Sequence, residues 1–377
     1  VSLETPLADQ PLGSFLRPAE QALLRRADLR LPEALHGYLR AAPSLEAQGV
    51  RRQLLMQLLV PRLSPHYAEA SADAGATDRR VAFGALLREG VRWPDRLPPN
   101  PPSAGALGSI DLLDGLPARR WIVRKQAGAP DCVAQAVAAC LELARARHTG
   151  NFEWLSTRFL DEQLRALRGE AGGDGAGVPP GTAKSKLSEA AIALAKKGIC
   201  RNASWDSEIH AALRTPPPAV FGEAEGNKWQ AVFYLDRPPS VPRMPDLARR
   251  IHAELAHGRA VAIALPAFRD RDLTTGPVDW DRDSVWFTGQ IPDPDLAIEA
   301  AVSNAGHAVC VVGFQASAAE PLGGYFVFRN SWDTEFGKQA DLGAPSTIPP
   351  SVPLAGYGVI SASHVERHCW ECASFAS

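Results

Sequence analysis

The sequence predicts an α+β protein, with helices over its first two thirds and an antiparallel sheet or barrel built from its last third. Three observations carry that expectation. Apolar residues recur at helical spacing near the N-terminus and again after residue 132. Short β-rich runs bounded by Gly, Pro or polar residues crowd the region after residue 260. No internal repeat interrupts this order.

Residues 15–63 read as helices. Leu54, Leu55, Leu58 and Leu59 fall on one stripe, the pattern of a helix burying a single face, and Pro61 ends the run. A further short helix is expected over 81–90. Residues 93–109 (WPDRLPPNPPSAGALGS) hold too much Pro and Gly for the interior of any element and read as a linker or strap. The chain thus divides into a helical N-terminal extension (1–92), a linker (93–109) and a main domain (110–377). In the main domain, Asp131 stands at an N-cap position before an Ala-rich helix in which Val133, Val137, Cys140, Leu141 and Ala144 recur at helical spacing. Another helix over 188–197 is closed by Gly198. The runs 260–265 (AVAIAL), 308–314 (AVCVVGF) and 325–328 (YFVF) read as strands.

Composition narrows the function classes. The 377 residues are 45% hydrophobic and 22% charged, enough for one large domain or two modest ones. A net charge of -2, with both signs mixed along the chain, makes no footprint for nucleic acid or an anionic membrane. No stretch approaches the ~20 apolar residues of a membrane span. The opening VSLETPLADQPLG lacks the basic start and apolar core of a signal peptide. Of the six cysteines, Cys132, Cys140, Cys200 and Cys310 sit singly in apolar or helical runs, unlike a disulfide framework. Cys369 and Cys372 form a lone CxxC. A structural zinc there would want two more ligands, and only His364 and His368 are near, so a tail with free thiols or one local disulfide is expected, and no metal. A cytoplasmic protein without cofactor is the resulting expectation, with secretion after leader removal as the alternative.

Chemistry enters at Cys132. A cysteine in an Ala-rich helix is ordinarily a small buried hydrophobe. This one stands at a helix start, where unpaired backbone N–H groups favour an anion and lower a thiol's pKa, and its Ala-, Gly- and Pro-rich lead-in is a loop able to expose the sulfur. A thiolate nucleophile needs a base held by a third group. His307 opens the strand Gly-His-Ala-Val-Cys-Val-Val-Gly, and Asn330 follows a second strand in Arg-Asn-Ser-Trp, with Trp332 two residues on. An Asn330 side-chain oxygen accepting from one imidazole nitrogen leaves the other facing sulfur.

These stretches resemble the papain-like cysteine peptidase family, in its bacterial branch, over about residues 108–365. Gln126 stands six residues before Cys132, as the family's oxyanion-hole glutamine does. Gly306-His307 to Phe314, Tyr325 to Trp332 and Gly356-Tyr357-Gly358 resemble its histidine, asparagine and closing strands. The resemblance implies a two-lobed fold, a helical lobe beside an antiparallel barrel-like lobe. It implies a thiol protease, a hydrolase acting on protein or peptide through a Cys132–His307–Asn330 catalytic triad. Gln126 and the Cys132 backbone N–H would hold the oxyanion, and Trp332 would shield the His–Asn bond.

Departures accompany the match. Pro130-Asp131 replaces the family's Gly-Ser before the nucleophile, placing an anion beside the sulfur unless it turns away to cap the helix. Val133 replaces an aromatic residue, and Ala129 replaces a disulfide cysteine of secreted members. His307 lies 175 residues after Cys132, against family spacings of ~130–150, so insertions are expected near 169–181, 216–242 and 338–354. Acyl transfer or isopeptide cleavage on the same fold, or an inactive papain-like binding module, are the alternatives. The extension 1–92 reads as regulatory, propeptide-like or partner-docking.

Overall fold

The computed structural model describes residues 107–116, 123–126, 131–168, 185–206, 215–236, 246–269, 280, 283–293, 301–339, 350 and 352–376. The helices expected over 15–63 and 81–90, most of the linker, and the insertions expected at 169–181 and, in large part, 338–354 lie outside them. In chain order the elements are β1 (Ile110–Asp111), α1 (Cys132–Thr149), α2 (Thr157–Leu167), α3 (Leu187–Lys197), α4 (Pro218–Glu225), β2 (Gln230–Asp236), α5 (Leu247–Ala256) and β3 (Val261–Arg269). They continue with α6 (Asp283–Thr288), β4 (Gln290–Ile291), β5 (Ala301–Ala316), β6 (Gly324–Arg329), β7 (Tyr357–Ser361), α7 (Ala362–His368) and β8 (Glu371–Ala376).

The strands join in one sheet in the order β2-β8-β3-β5-β6-β7-β4, with β1 added against β5. Every pairing is antiparallel except the short β4–β7 contact. β3 and β5 lack the alternation of a half-exposed strand because both faces are covered: α1 packs on them, as does α5. Pro266 sits inside β3 where the pairing with β5 slips, a position where a missing N–H breaks no regular rung.

α1 is apolar nearly all round, and it is buried from Cys132 through Leu143. It ends at Gly150, which takes the left-handed conformation (φ 70°) and returns its N–H to Ala146 O. A second, smaller core of Phe159, Cys200, Trp205, Val220 and Ala224 ties α2 to α4. Gly198 closes α3, as the sequence indicates.

Two regions differ from expectation. Residues 216–242, read as an insertion, contain α4 and β2, and β2 is an edge strand of the sheet paired with β8. The C-terminal stretch is a strand rather than a tail: β8 lies between β2 and β3, and Cys369 and Cys372 are buried free thiols. Glu371 fixes it there. Its carboxylate accepts from Leu187 N (2.9 Å) and Ser188 Oγ (3.3 Å) at the start of α3, and from Tyr234 Oη (2.8 Å) on β2. Both stretches are short and flanked by proline or polar residues, which hid them from pattern reading.

Gly306 shows how tightly the sheet is packed beside His307. A Cβ there would lie 2.3 Å from Trp370 Cζ3 and 2.5 Å from Leu265 O. Gly306→Ala is therefore expected to cost about 1–3 kcal/mol, read as a lower urea midpoint with an unchanged slope. A midpoint equal to wild type would contradict this packing.

Candidate active site

Three segments distant in sequence approach the end of β6 and the middle of β5, where His307 lies within the strand rather than opening it as the sequence suggests. The first is 123–126, which pairs with the residues after β6: Gln126 N donates to Ser331 O (2.8 Å) and Asp333 N donates to Arg124 O (2.9 Å). Ser331 Oγ then donates to Gln126 Oε1 (2.8 Å). That bond orients the amide and leaves Nε2 as its donor end.

The second segment carries the imidazole and its orienting group. Asn330 N donates to Gly356 O (3.0 Å), and Asn330 Oδ1 accepts from Ser331 N (2.8 Å). Because that oxygen already accepts from a backbone N–H, its 2.8 Å contact with His307 Nε2 is a donation from the ring. A neutral His307 then carries its lone pair on Nδ1. Trp332 stacks on the ring with centroids 4.3 Å apart, Trp286 stacks on Trp332, and Trp280 meets His307 edge-on at 5.2 Å. This wall excludes water from the His307–Asn330 bond. Burial lowers the His307 pKa to about 4, against the opposing effect of the Asn330 bond.

The third segment is the start of α1. Cys140 Sγ on α1 lies 3.3 Å from Cys310 Sγ on β5. Moving back from that contact, α1 reaches Cys132 after roughly 12 Å and β5 reaches His307 after roughly 10 Å. Ala136, one turn after Cys132, lines one small cavity with Ala139, Ala308 and Asn330. The first turns of α1 thus pack beside β5 at Ala308, the residue after His307. The sulfur differs from expectation in being fully buried, as is His307, because the all-round apolar α1 is packed from its first residue.

Asp131 occupies the N-cap position, but its side chain caps nothing. Instead Asp131 Oδ2 accepts from Gln135 Nε2 (2.8 Å), so the carboxyl turns to the next turn of its own helix. Burial, with the nearby Asp161 charge, raises its pKa to about 7. Much of its charge is thereby removed from the neighbourhood of Cys132.

Beneath these groups lies a buried carboxylate, Glu142. It accepts from Arg124 (2.5 Å), from Arg329 (3.3 Å) and from Leu155 N (2.9 Å). Both guanidiniums also face the Trp154 ring, at 4.3 and 5.2 Å. Arg124 precedes Gln126 by two residues and Arg329 adjoins Asn330, so one carboxylate ties α1 to both segments.

The chain matches no protein-family model and no curated protein. Its structure is similar to xylellain, a cysteine protease from Xylella fastidiosa, with a TM-score of 0.53 and 17% identity over 79% of this chain and 97% of that one. The fold is the papain-like one. Procathepsin B S9 from Trypanosoma congolense (TM-score 0.47, 14% identity, 78% and 86% covered) and procathepsin L 3 from Tenebrio molitor (0.46, 15%, 91% and 98%) also match.

On this papain-like fold, sequence reasoning overlooked the support groups. Ser331 was visible only as part of Asn-Ser-Trp and Trp286 only as the start of a weaker family-like stretch (286–294), whereas Arg124, Gln135, Glu142 and Trp280 gave no local signal. Charged residues on a helix or before a turn ordinarily face solvent.

Glu142→Gln is expected to lose about 3–5 kcal/mol of stability, because two buried guanidiniums lose their counter-charge; urea unfolding reads it. A second expectation concerns pH. The folded His307 pKa (about 4) lies below its ordinary 6.5, so the unfolded chain binds the extra proton between these values. Stability from this group is whole above 6.5 and falls as the pH drops towards 4. Asp131 and Glu371, both raised to about 7, act in the opposite sense, so the comparison is with His307→Gln. The gap between the two proteins should move in the variant's favour by up to about 1.4 kcal/mol per pH unit below 6.5; a constant gap would rule out a buried neutral ring.

Proposed function

We propose that the protein is a cysteine endopeptidase of the bacterial papain-like type, with Cys132, His307 and Asn330 as its triad. The observation that carries this reading is the His307–Asn330 pair, 2.8 Å apart and covered by Trp332. Neutral His307 takes the Cys132 proton at Nδ1, and the sulfur attacks the scissile carbonyl. The tetrahedral oxyanion is held by Gln126 Nε2–H and the Cys132 backbone N–H. His307 returns the proton to the leaving amine, and water then hydrolyses the thioester on the same base. Asn330 keeps the Nε2 proton in place, so that Nδ1 stays the basic atom throughout.

The full burial of Cys132 adds a requirement: a polypeptide reaches the sulfur only after the residues that bury it move. Residues 1–92, which the sequence reads as a helical extension with its own apolar stripe, are the part of the chain we assign to regulation or partner docking.

Cys132→Ala should abolish peptide hydrolysis while leaving the circular dichroism spectrum and urea midpoint close to wild type. Retained turnover in that variant would overturn the reading. Gln126→Ala should lower kcat by about 10²–10³ with a smaller change in KM. A peptidyl epoxide should label Cys132 rather than Cys140 or Cys200: all three are buried, but on this reading only Cys132 has an imidazole to take its proton, and the other two thiols are raised, Cys200 to about 12. Mass spectrometry of the labelled peptide decides between them.

A further inference from the structure

Beside Asn330 lies a small cavity of mixed lining with about 10 Å³ of room, what one water needs. Arg124, Arg329, Gln135, Asn330 and Ser331 line it with three alanines of α1 and β5, and Glu142 balances the guanidiniums. Three buried polar atoms of its lining residues have no hydrogen-bond partner among the described residues: Asn330 Nδ2, Arg124 Nη1 and Gln135 Oε1. Asn330 and Gln135 are 3% and 7% exposed, so bulk solvent does not serve them. Two of the three atoms donate and one accepts. A simple anion would satisfy only the donors and would face the Gln135 oxygen; a cation would fail twice. Water both accepts and donates, and three bonds are its usual complement in a protein interior.

The orientation of Gln135 is itself determined. Its Nε2 donates to Asp131 Oδ2 (2.8 Å) and reaches Thr157 Oγ1 (3.3 Å), which turns Oε1 away from both acceptors. Asp131, the residue that departs from the papain-like motif, thereby has a use.

We propose that the cavity holds one ordered water, accepting from Asn330 Nδ2 and Arg124 Nη1 and donating to Gln135 Oε1. Through it Gln135 is a positioning residue for the Asn330–His307 pair. The chain of contacts runs from Asp131 through Gln135 and the water to the far side of the Asn330 amide, whose near side holds His307. Asn330 is then held at both ends, by Ser331 N–H on Oδ1 and by the water on Nδ2. Release of the second end lets the amide rock, so that the His307 proton is no longer confined to Nε2. Only the effect on turnover rests on the peptidase reading; the water and the ring tautomer do not.

The test has three readouts on the full chain. A high-resolution crystal structure should show density for one water within 3.2 Å (the ordinary hydrogen-bond range) of all three atoms. An empty cavity, or an anomalous peak there after a bromide soak, overturns the assignment. In ¹⁵N-histidine spectra, wild type should show His307 as the Nε2–H tautomer, and Gln135→Met should populate Nδ1–H; an unchanged tautomer overturns the positioning role. In peptide hydrolysis, Gln135→Met should lower kcat by about tenfold with KM held within about twofold. In an Asn330→Ala background the same change should have little further effect, since both act through one amide. Multiplicative losses would make Gln135 merely structural. If wild type cleaves no peptide, the peptidase reading fails by itself, while density and tautomer still decide the water.

Discussion

A single buried carboxylate organises this site. Glu142 exposes no surface, yet it meets two guanidiniums and a backbone N–H from three different stretches of chain. A lone carboxylate in that position would be very costly, and so would either arginine. Together they are mutually satisfied, with the Trp154 face taking up part of the positive charge. The consequence is geometric. Arg124 cannot relax without moving the segment that carries Gln126, and Arg329 cannot relax without moving Asn330. Gln126 and Asn330 are thereby held by a charge network two residues away or less, rather than by their own contacts alone.

Small residues complete the arrangement. Ala136 and Ala139 on α1, with Ala308 on β5, let helix and strand approach closely enough for the Cys140 and Cys310 sulfurs to touch. Larger side chains would push α1 off the sheet and part the Cys140 and Cys310 sulfurs. Gly306 serves the same end on the other side, where Trp370 takes the volume a side chain would need. The tryptophan wall of residues 280, 286 and 332 then supplies dryness, and dryness is what keeps His307 uncharged.

Much of this was legible in the sequence, and for identifiable reasons. The cores of β3, β5 and β6 are unbroken apolar runs with clear punctuation, so composition alone located them. The stop of α3 was written in Gly198. His307 and Asn330 were found from their places on adjacent strands, and the structure brings these two side chains together. What stayed hidden was whatever depends on long-range pairing. Glu142 meets Arg329 across 187 residues of chain, and nothing local marks either as an interior charge. β8 escaped because it is short, contains Glu371, and owes its burial to Tyr234 and the start of α3. Asp131 looked like a cap, since sequence gives position but not the direction of a side chain; Gln135 won its carboxylate.

The central place of β8 bears on how the protein is made. Its two neighbours, β2 and β3, are synthesised more than a hundred residues earlier, and they have no sheet contact with each other in the strand order until β8 arrives between them. A chain emerging from the ribosome can pair β3 with β5 and β5 with β6, but the sheet stays open at β2 until residue 376 has left the tunnel. Contacts of such long sequence separation form slowly. Assembly of the complete sheet therefore waits on its last strand, and a nascent chain interrupted before β8 leaves β2 unpaired and one edge of β3 open to aggregation.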